Sequence, residues 1–224
     1  MSKAFIREIF LSIQGEGPYL GEEQLFIRFC GCNLHCRYCD TDFEISKSKE
    51  YSPEELLREV NSFGKNLMLS LTGGEPLVSV SFLKEFLPLA RAEGHRIYLE
   101  TNATLADNLK EIINSVDIVS ADIKLASATG EIIQWRTFDD FFAVSKGKDC
   151  FAKLVFNSDL TDEEIEESVK IAQKYNIPII LQPEMRGNEF AVTKSDMEKI
   201  FKKFHSAYKY IRLIPQVHKF LDVR

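Results

Sequence analysis

Short apolar runs alternate with amphipathic segments along most of this chain. Residues 4–10 and 24–30 are rich in side chains of strong β propensity and predict two early strands. From residue 52 the spacing of apolar residues becomes helical. Serine, proline and two acids at this point form a strong helix start. Helices are predicted at 53–63, 80–93, 106–114, 162–175 and near 194–204, with strands at 67–71, 96–100, 117–121, 178–182 and 209–214. This alternation predicts a parallel sheet with right-handed crossover connections.

The chain is expected to form one domain over residues 1–224, because no repeat, low-complexity tract or linker divides it. We predict an α/β fold, an incomplete and curved parallel β/α barrel with its site at the carboxyl ends of the strands. A flat, doubly wound sheet is the alternative. Residues 125–150 give the weakest pattern, and their aromatic side chains are interpreted as packing residues: Trp135, Phe138, Phe141 and Phe142.

Polar residues and glycines follow four of the predicted strands, at 72–76, 100–102, 120–124 and 182–184. Two adjacent glycines in the first segment would bring bare backbone to the mouth of the barrel. A plain strand-to-helix turn explains those glycines equally well. Four strands that end in polar residues at one rim indicate a site more strongly than any single motif does.

Composition narrows the class of protein. Lys and Arg total 28 against 34 Asp and Glu, a net charge of −6 that argues against a large nucleic-acid surface. The first residues do not form a signal peptide, and charges interrupt every apolar run before it reaches membrane-spanning length. We therefore expect a cytoplasmic globular protein with no membrane or nucleic-acid partner.

Three cysteines are clustered at Cys32, Cys36 and Cys39, with a C-x3-C-x2-C spacing. Such a loop can hold an iron–sulfur cluster and leave one iron open, or it can bind zinc with His35 as the fourth ligand. A disulfide is disfavoured, because the cluster is odd in number and nothing marks the chain as secreted. The other two cysteines, Cys30 and Cys150, are interpreted as small buried hydrophobes.

The triplet resembles the cluster motif of the radical S-adenosylmethionine superfamily. Within that superfamily the chain resembles the 7-carboxy-7-deazaguanine synthase family, from about residue 5 to its last residue. The triplet and the Gly-Gly-Glu-Pro segment mark only the superfamily, whereas the first segments and the C-terminal one discriminate within it. The matching segments are 14–17, 26–29, 31–34, 39–41, 72–76, 100–102, 182–183 and 216–219.

The resemblance implies a [4Fe–4S] cluster held by Cys32, Cys36 and Cys39 in a loop at 31–41. The open iron would chelate S-adenosylmethionine, and one electron would yield a radical able to remove hydrogen from an unactivated carbon. An electron donor such as flavodoxin or ferredoxin and a homodimer are implied as well. The residues carried over to S-adenosylmethionine are Tyr38, Cys39, Asp40, Gly74, Ser120, Lys124, Gln182 and Glu184.

The implied reaction converts 6-carboxy-5,6,7,8-tetrahydropterin to 7-carboxy-7-deazaguanine with loss of ammonia, on the route to queuosine. Arg28 suits the substrate carboxylate, because a guanidinium fork matches two oxygens. Thr41 matches a residue that brings a hydroxyl to Mg²⁺. A tail at 215–224 would close the substrate pocket, with the terminal carboxylate of Arg224 inside it. The remaining residues carried over to the substrate are Ile13, Gln14, Gly15, Glu16, Thr72 and His218.

Two departures from the family pattern keep other functions open. The synthases usually have Ser-Pro-Lys where this chain has Ser120-Ala121-Asp122-Ile123-Lys124, which looks more like the glycyl-radical activating enzymes. Ala103 also stands where glycine is usual. The first alternative is another radical S-adenosylmethionine enzyme, such as a glycyl-radical activating enzyme. The second, which rests on the cysteine spacing, is a non-enzymatic zinc or redox module.

Overall fold

The computed structural model describes residues 2–39 and 45–223. Its strands are β1 (Ala4–Ile13), β2 (Glu23–Phe29), β3 (Lys49–Tyr51), β4 (Met68–Gly73), β5 (Arg96–Thr101), β6 (Ile118–Asp122), β7 (Asp149–Phe156), β8 (Ile179–Pro183), β9 (Met185–Arg186), β10 (Glu189–Phe190) and β11 (Ile211–Leu213). Its helices are α1 (Pro53–Phe63), α2 (Val80–Ala92), α3 (Ala106–Ile112), α4 (Ala126–Thr129), α5 (Trp135–Ser145), α6 (Asp162–Tyr175), α7 (Lys194–Ala207) and α8 (Val217–Leu221).

Nine of the described strands form one sheet, in the order β11-β8-β7-β6-β5-β4-β2-β1-β3. Within this sheet, every neighbouring pair from β2 along to β11 is parallel, and β1 pairs in the antiparallel sense with both β2 and β3. The order of the parallel strands never reverses, whereas a doubly wound sheet requires such a reversal. The incomplete β/α barrel is therefore confirmed, and the doubly wound alternative is wrong.

Helices cover the outside of the barrel and form one hydrophobic core with the strands. The crossover helices are neighbours in the order α1, α2, α3, α5, α6 and α7, because each crossover returns to the next strand along the sheet. Both α1 and α6 begin with a capping box, from Ser52 to Glu55 and from Thr161 to Glu164. Phe82 and Phe86 of α2 are fully buried, and such a side chain contributes about 1.5–3 kcal/mol.

The predicted packing role of the aromatic residues in α5 is confirmed. Phe138, Phe141 and Phe142 are at most 1% exposed, and Trp135 packs against the same core. Cys30 and Cys150 are buried, as expected of small hydrophobic side chains.

The main error of the sequence prediction is that it missed strand β7. Residues 149–156 form a strand between β6 and β8, and the predicted pattern placed no strand there. The first strand is also longer than predicted, because β1 continues to Ile13. In the described part of the chain, no helix has the length and apolar character needed to cross a membrane.

Candidate active site

One cavity of about 500 Å³ lies on the concave face of the sheet. Side chains from β1, β2 and every parallel strand through β8 line it, which shows that the sheet curls round the cavity. All sixteen predicted site residues that the structure describes line this cavity: Ile13, Gln14, Gly15, Glu16, Arg28, Cys32, Cys36, Tyr38, Cys39, Thr72, Gly74, Ser120, Lys124, Gln182, Glu184 and His218. Asp40, Thr41 and Arg224 lie outside the described residues.

The described part of the cysteine loop faces the cavity with its three thiols. Cys32 and Cys36 are half-buried and Cys39 is exposed. Burial raises the pKa of Cys36 to about 11 and also raises the pKa of Cys32. His35, proposed as a fourth zinc ligand, is exposed and does not line the cavity. Within residues 2–39 and 45–223, no three His, Cys, Asp or Glu side chains are grouped to hold a single metal ion.

Asn33 holds the first half of this loop against the end of β5. Its amide oxygen accepts a hydrogen bond from Asn102 Nδ2 at 2.8 Å, and its Nδ2 donates to Thr104 Oγ1 at 2.9 Å. Asn102 Nδ2 also lies 3.9 Å from Cys32 Sγ, and the backbone N–H of Leu34 donates to the same sulfur at 3.4 Å. Donors aimed at this sulfur stabilise negative charge on it.

The turn after β4 is fixed by the buried carboxylate of Glu75. Its oxygens accept hydrogen bonds from the Thr101 hydroxyl at 2.9 Å and from the N–H groups of Leu77 and Asn102, at 3.0 and 2.7 Å. Burial raises the pKa of Glu75 to about 7, despite these donors. Gly73 has a φ of +116°, and a Cβ there would lie 2.3 Å from the Phe29 carbonyl oxygen. The glycine therefore permits close backbone packing beside the cavity.

Lys124 and Tyr38 connect the end of β6 to the cysteine loop. Lys124 Nζ donates to the Tyr38 hydroxyl at 3.1 Å and to Asp122 Oδ2 at 2.8 Å. Burial disfavours the ammonium of Lys124, but Asp122 outweighs burial, so the lysine pKa is raised. Despite its departure from the synthase pattern, this segment still places Lys124 at the cavity.

A second group of polar side chains lies around Glu100 of β5. Its carboxylate accepts hydrogen bonds from Gln14 Nε2 at 3.0 Å and from the Thr72 hydroxyl at 2.7 Å. Arg28 of β2 lines the same cavity, with its guanidinium carbon 5.7 Å from the centre of the Phe10 ring. Arg28 Nε lies 3.8 Å from a carboxylate oxygen of Glu8.

Glu16 and Lys153 form an ion pair across the barrel. The two side chains are 16% and 12% exposed, and their charged atoms lie 2.5 Å apart. Burial alone would raise the pKa of Glu16, but the charge and hydrogen bond of Lys153 lower it to about 2. The other oxygen of Glu16 accepts a hydrogen bond from Gln216 Nε2 at 2.7 Å, so the pair also contacts the C-terminal tail.

The tail packs directly on the loop that follows β1. The N–H of Val217 donates to the carbonyl of Gly15 at 2.9 Å. A Cβ at Gly15 would lie only 2.4 Å from His218 Nδ1, so only glycine permits this approach. The tail therefore spans the gap between the first strand and the last ones, and brings His218 to the cavity.

Sequence reasoning assigned no site role to Glu100, Asp122, Lys153 or Gln216, which also line the cavity. Glu100 and Asp122 stand in segments already noted as polar strand ends. Lys153 had a weaker signal, a single charge within the apolar run 150–156. Its contact with Glu16 depends on the curvature of the sheet, which no local pattern encodes.

Comparisons with known proteins agree with this geometry. The family model described as the Radical SAM superfamily matches residues 26–182. A 7-carboxy-7-deazaguanine synthase from Geobacter sulfurreducens is 34% identical, over 99% of this chain and 99% of its own length. One from Methanopyrus kandleri is 33% identical, over 97% and 93% respectively. The crystal structure of QueE from Escherichia coli has a TM-score of 0.66 at 19% identity, covering 96% of this chain and 95% of its own, and supports the fold.

Proposed function

The chain belongs to the Radical SAM superfamily and, within it, to the 7-carboxy-7-deazaguanine synthase family, and from that premise we propose its reaction. It converts 6-carboxy-5,6,7,8-tetrahydropterin to 7-carboxy-7-deazaguanine with loss of ammonia, a step towards queuosine and related deazapurines. One observation carries the proposal: the cysteine loop, Arg28, Glu16 and His218 all face one cavity. Relatives that share this chain's full length carry the name of that activity.

The superfamily uses a [4Fe–4S] cluster and S-adenosylmethionine, and the residues present fit both groups. Cys32, Cys36 and Cys39 offer three thiol ligands on one loop, which leaves one iron of a four-iron cluster open. Hydrogen bonds to Cys32 Sγ and the nearby ammonium of Lys124 would offset the negative charge of such a cluster. When bound, the two groups supply one-electron chemistry that removes a hydrogen atom from an unactivated carbon.

The part of the cavity next to the cysteine loop is proposed to hold S-adenosylmethionine. Among the described residues, two buried acceptor oxygens that lack a donor belong to cavity-lining side chains, Gln182 Oε1 and Asp122 Oδ1. An unpaired buried acceptor costs about 1–3 kcal/mol, so a ligand with hydroxyl and ammonium donors would relieve that cost. The residues proposed for this cofactor are Tyr38, Cys39, Asp40, Gly74, Ser120, Lys124, Gln182 and Glu184.

The pterin is proposed to lie between Arg28 and the tail. The guanidinium of Arg28 would bind the substrate carboxylate through two hydrogen bonds. Glu16 is ionised at neutral pH, because its pKa is lowered to about 2, and a carboxylate accepts hydrogen bonds from the N–H edge of a pterin. Ile13, Gln14, Gly15, Thr72 and His218 complete the proposed pocket, with the terminal carboxylate of Arg224.

Three further features are proposed on the strength of family membership. Thr41 would bring one hydroxyl to a Mg²⁺ ion that takes its other ligands from water and substrate. A small electron-transfer protein such as flavodoxin or ferredoxin would reduce the cluster. The protein would work in the cytoplasm as a homodimer.

The test is anaerobic reconstitution with iron and sulfide, then incubation with dithionite, S-adenosylmethionine, Mg²⁺ and the carboxytetrahydropterin. Mass spectrometry should detect 7-carboxy-7-deazaguanine, and absorbance near 400 nm should report the cluster. A reconstituted protein that cleaves S-adenosylmethionine but leaves the pterin unchanged would favour a glycyl-radical activating enzyme. Bound zinc in place of iron would favour the metal or redox module.

A further inference from the structure

The second half of the cysteine loop is held by the segment that follows β6. The N–H of Arg37 donates to the Thr129 carbonyl at 2.9 Å, and its guanidinium Nη2 donates to the Ser127 carbonyl at 2.7 Å. The N–H of His35 donates to the Glu131 carboxylate at 2.6 Å. These three hydrogen bonds attach residues 35–37 to residues 127–131.

The receiving segment is itself tied to the barrel. The N–H of Ser127 donates to Glu164 Oε1 at 2.9 Å, and Glu164 also caps the first turn of α6. Gly130 ends α4 with a φ of +78°, and a Cβ there would lie 3.0 Å from Arg37 Nε. The glycine thus allows the arginine side chain to lie flat against the turn.

The two halves of the cysteine loop therefore have separate supports. Asn33 attaches the half with Cys32 to Asn102 and Thr104, as described above. Arg37, between Cys36 and Tyr38 in sequence, attaches the other half to 127–131 by both its backbone and its side chain. A loop that brings three thiols to one group must be fixed on both sides, or the ligands lose their common geometry.

We propose that Arg37 is a positioning residue for the iron–sulfur cluster, and that residues 127–131 act as its docking site. This inference rests on the cluster in the proposed function, but not on the identity of the substrate. Arg37 acts through the loop, because its guanidinium is directed to Ser127. Glu131 supports the same half of the loop through the backbone of His35.

Four single variants and one control test the proposal. Arg37→Met keeps a long stem but loses the charge and the bond to Ser127, whereas Arg37→Lys keeps the charge and a donor group but loses the planar fork. Glu131→Ala removes the acceptor for His35, whereas Glu131→Gln keeps an oxygen there. Arg136→Met removes an equal charge from α5, where the side chain is 86% exposed and pairs only loosely, 3.7 Å from Asp140.

The measurement is the rate at which a chelator removes iron from the anaerobically reconstituted protein, with the electron paramagnetic resonance spectrum of the reduced cluster. We expect Arg37→Met to lose iron roughly tenfold faster, the effect of one charge-assisted hydrogen bond, and to show an altered spectrum. Glu131→Ala should lose iron faster than Glu131→Gln. Arg37→Lys should restore part of the wild-type behaviour, and Arg136→Met should match the wild type.

The melting temperature of each cluster-free variant separates positioning from folding. If Arg37→Met has a lower melting temperature than the wild type, iron loss is compared in Arg37→Lys and Glu131→Ala instead. Equal iron-loss rates and spectra in wild type, Arg37→Met and Glu131→Ala would overturn the proposal. A wild-type protein that forms the cluster but no deazapurine would refute the proposed reaction, while faster iron loss from Arg37→Met would still support the positioning role.

Discussion

Gly15→Ala should separate the tail from the loop after β1. The added Cβ would lie 2.4 Å from His218 Nδ1 and 2.5 Å from its Cβ. Carbon contacts are favourable at about 3.5–4.0 Å, so the tail must move by about 1 Å. The φ of Gly15 does not lie in the left-handed region, so the expected effect is steric and not a matter of backbone strain.

The magnitude follows from the contacts that oppose this movement. Val217 N–H bonds to the Gly15 carbonyl, and Gln216 Nε2 bonds to the Glu16 carboxylate. One neutral and one charge-assisted hydrogen bond are together worth about 2–4.5 kcal/mol. Overpacking typically costs about 1–3 kcal/mol, which is comparable with or smaller than this sum, so the tail should shift and dock more weakly. We expect pterin affinity to fall roughly five- to a hundredfold.

The assay combines pterin binding with amide hydrogen exchange of residues 216–223. Iron content and S-adenosylmethionine affinity should match the wild type, because the added methyl group touches the tail and not the cysteine loop. Gly147→Ala is the control for a loss of overall stability away from the cavity: no atom lies within 4 Å of its added Cβ, but its φ of +87° adds the backbone strain that Gly15→Ala lacks. In the double variant with His218→Gly, tail protection should recover while pterin affinity stays low. Wild-type pterin affinity and exchange in Gly15→Ala would refute the steric reasoning.

Three further predictions concern other parts of the cavity. Arg28→Lys should weaken pterin binding by about 1.5–3 kcal/mol, because lysine offers a point charge in place of a fork; unchanged affinity by calorimetry would contradict the assignment. Thr41→Ala should reduce the stimulation of turnover by Mg²⁺ and Thr41→Ser should retain it, so identical magnesium titrations would make Thr41 a turn residue only. Lys153 holds the pKa of Glu16 near 2, below its ordinary pKa of 4.5 in the unfolded chain. The stabilisation from ionised Glu16 is therefore complete above pH 4.5 and is lost as the pH falls through about 2. In Lys153→Met only the Gln216 hydrogen bond and the nearby His218 still oppose burial, so the pKa of Glu16 rises and tail protection should be lost at a higher pH than in the wild type. Coincident pH profiles would show that the pair does not hold the tail.

The order of helices and strands could be predicted because each element carries a local signal. Capping boxes mark the starts of α1 and α6, and short apolar runs mark the parallel strands between them. The exception is the region from α4 to β7. Helix α5 begins after Gln134 without a side-chain cap, so no local signal marks where it starts. The helix and the strand that follows it could therefore not be told apart from the sequence.

The residues that line the cavity could be predicted more completely than the contacts between their side chains. Motifs at strand ends indicate which residues face the mouth of a β/α barrel, because that position follows from topology alone. The pairs that fix those residues join distant parts of the chain, such as Glu16 with Lys153 and Gln14 with Glu100. Such pairs depend on the radius and register of the curved sheet, so they require the structure.

The two departures from the family pattern leave the geometry of the site in place. Ala103 has a φ of +58°, in the left-handed region that favours glycine, and such a residue costs about 1–2 kcal/mol. Local hydrogen bonds hold this turn: the Thr101 hydroxyl accepts from the Ala103 N–H at 3.2 Å, and Asn102 Oδ1 accepts from the Thr104 hydroxyl at 2.6 Å. Asn102 therefore still reaches the cysteine loop.

The end of β6 also keeps its place at the cavity. The synthase pattern has proline before the lysine, whereas here Asp122 and Ile123 precede Lys124, and Asp122 itself bonds the Lys124 ammonium at 2.8 Å. Asp122 Oδ2 also lies 3.5 Å from Lys153 Nζ, so one carboxylate joins the lysine near the cysteine loop to the ion pair near the tail. A segment that resembles the activating enzymes in sequence thus carries charges that this cavity uses at both ends. Asp-Ile-Lys resembles another subfamily, but that resemblance is weak support for a different substrate. The residues around this segment give stronger support for the pterin.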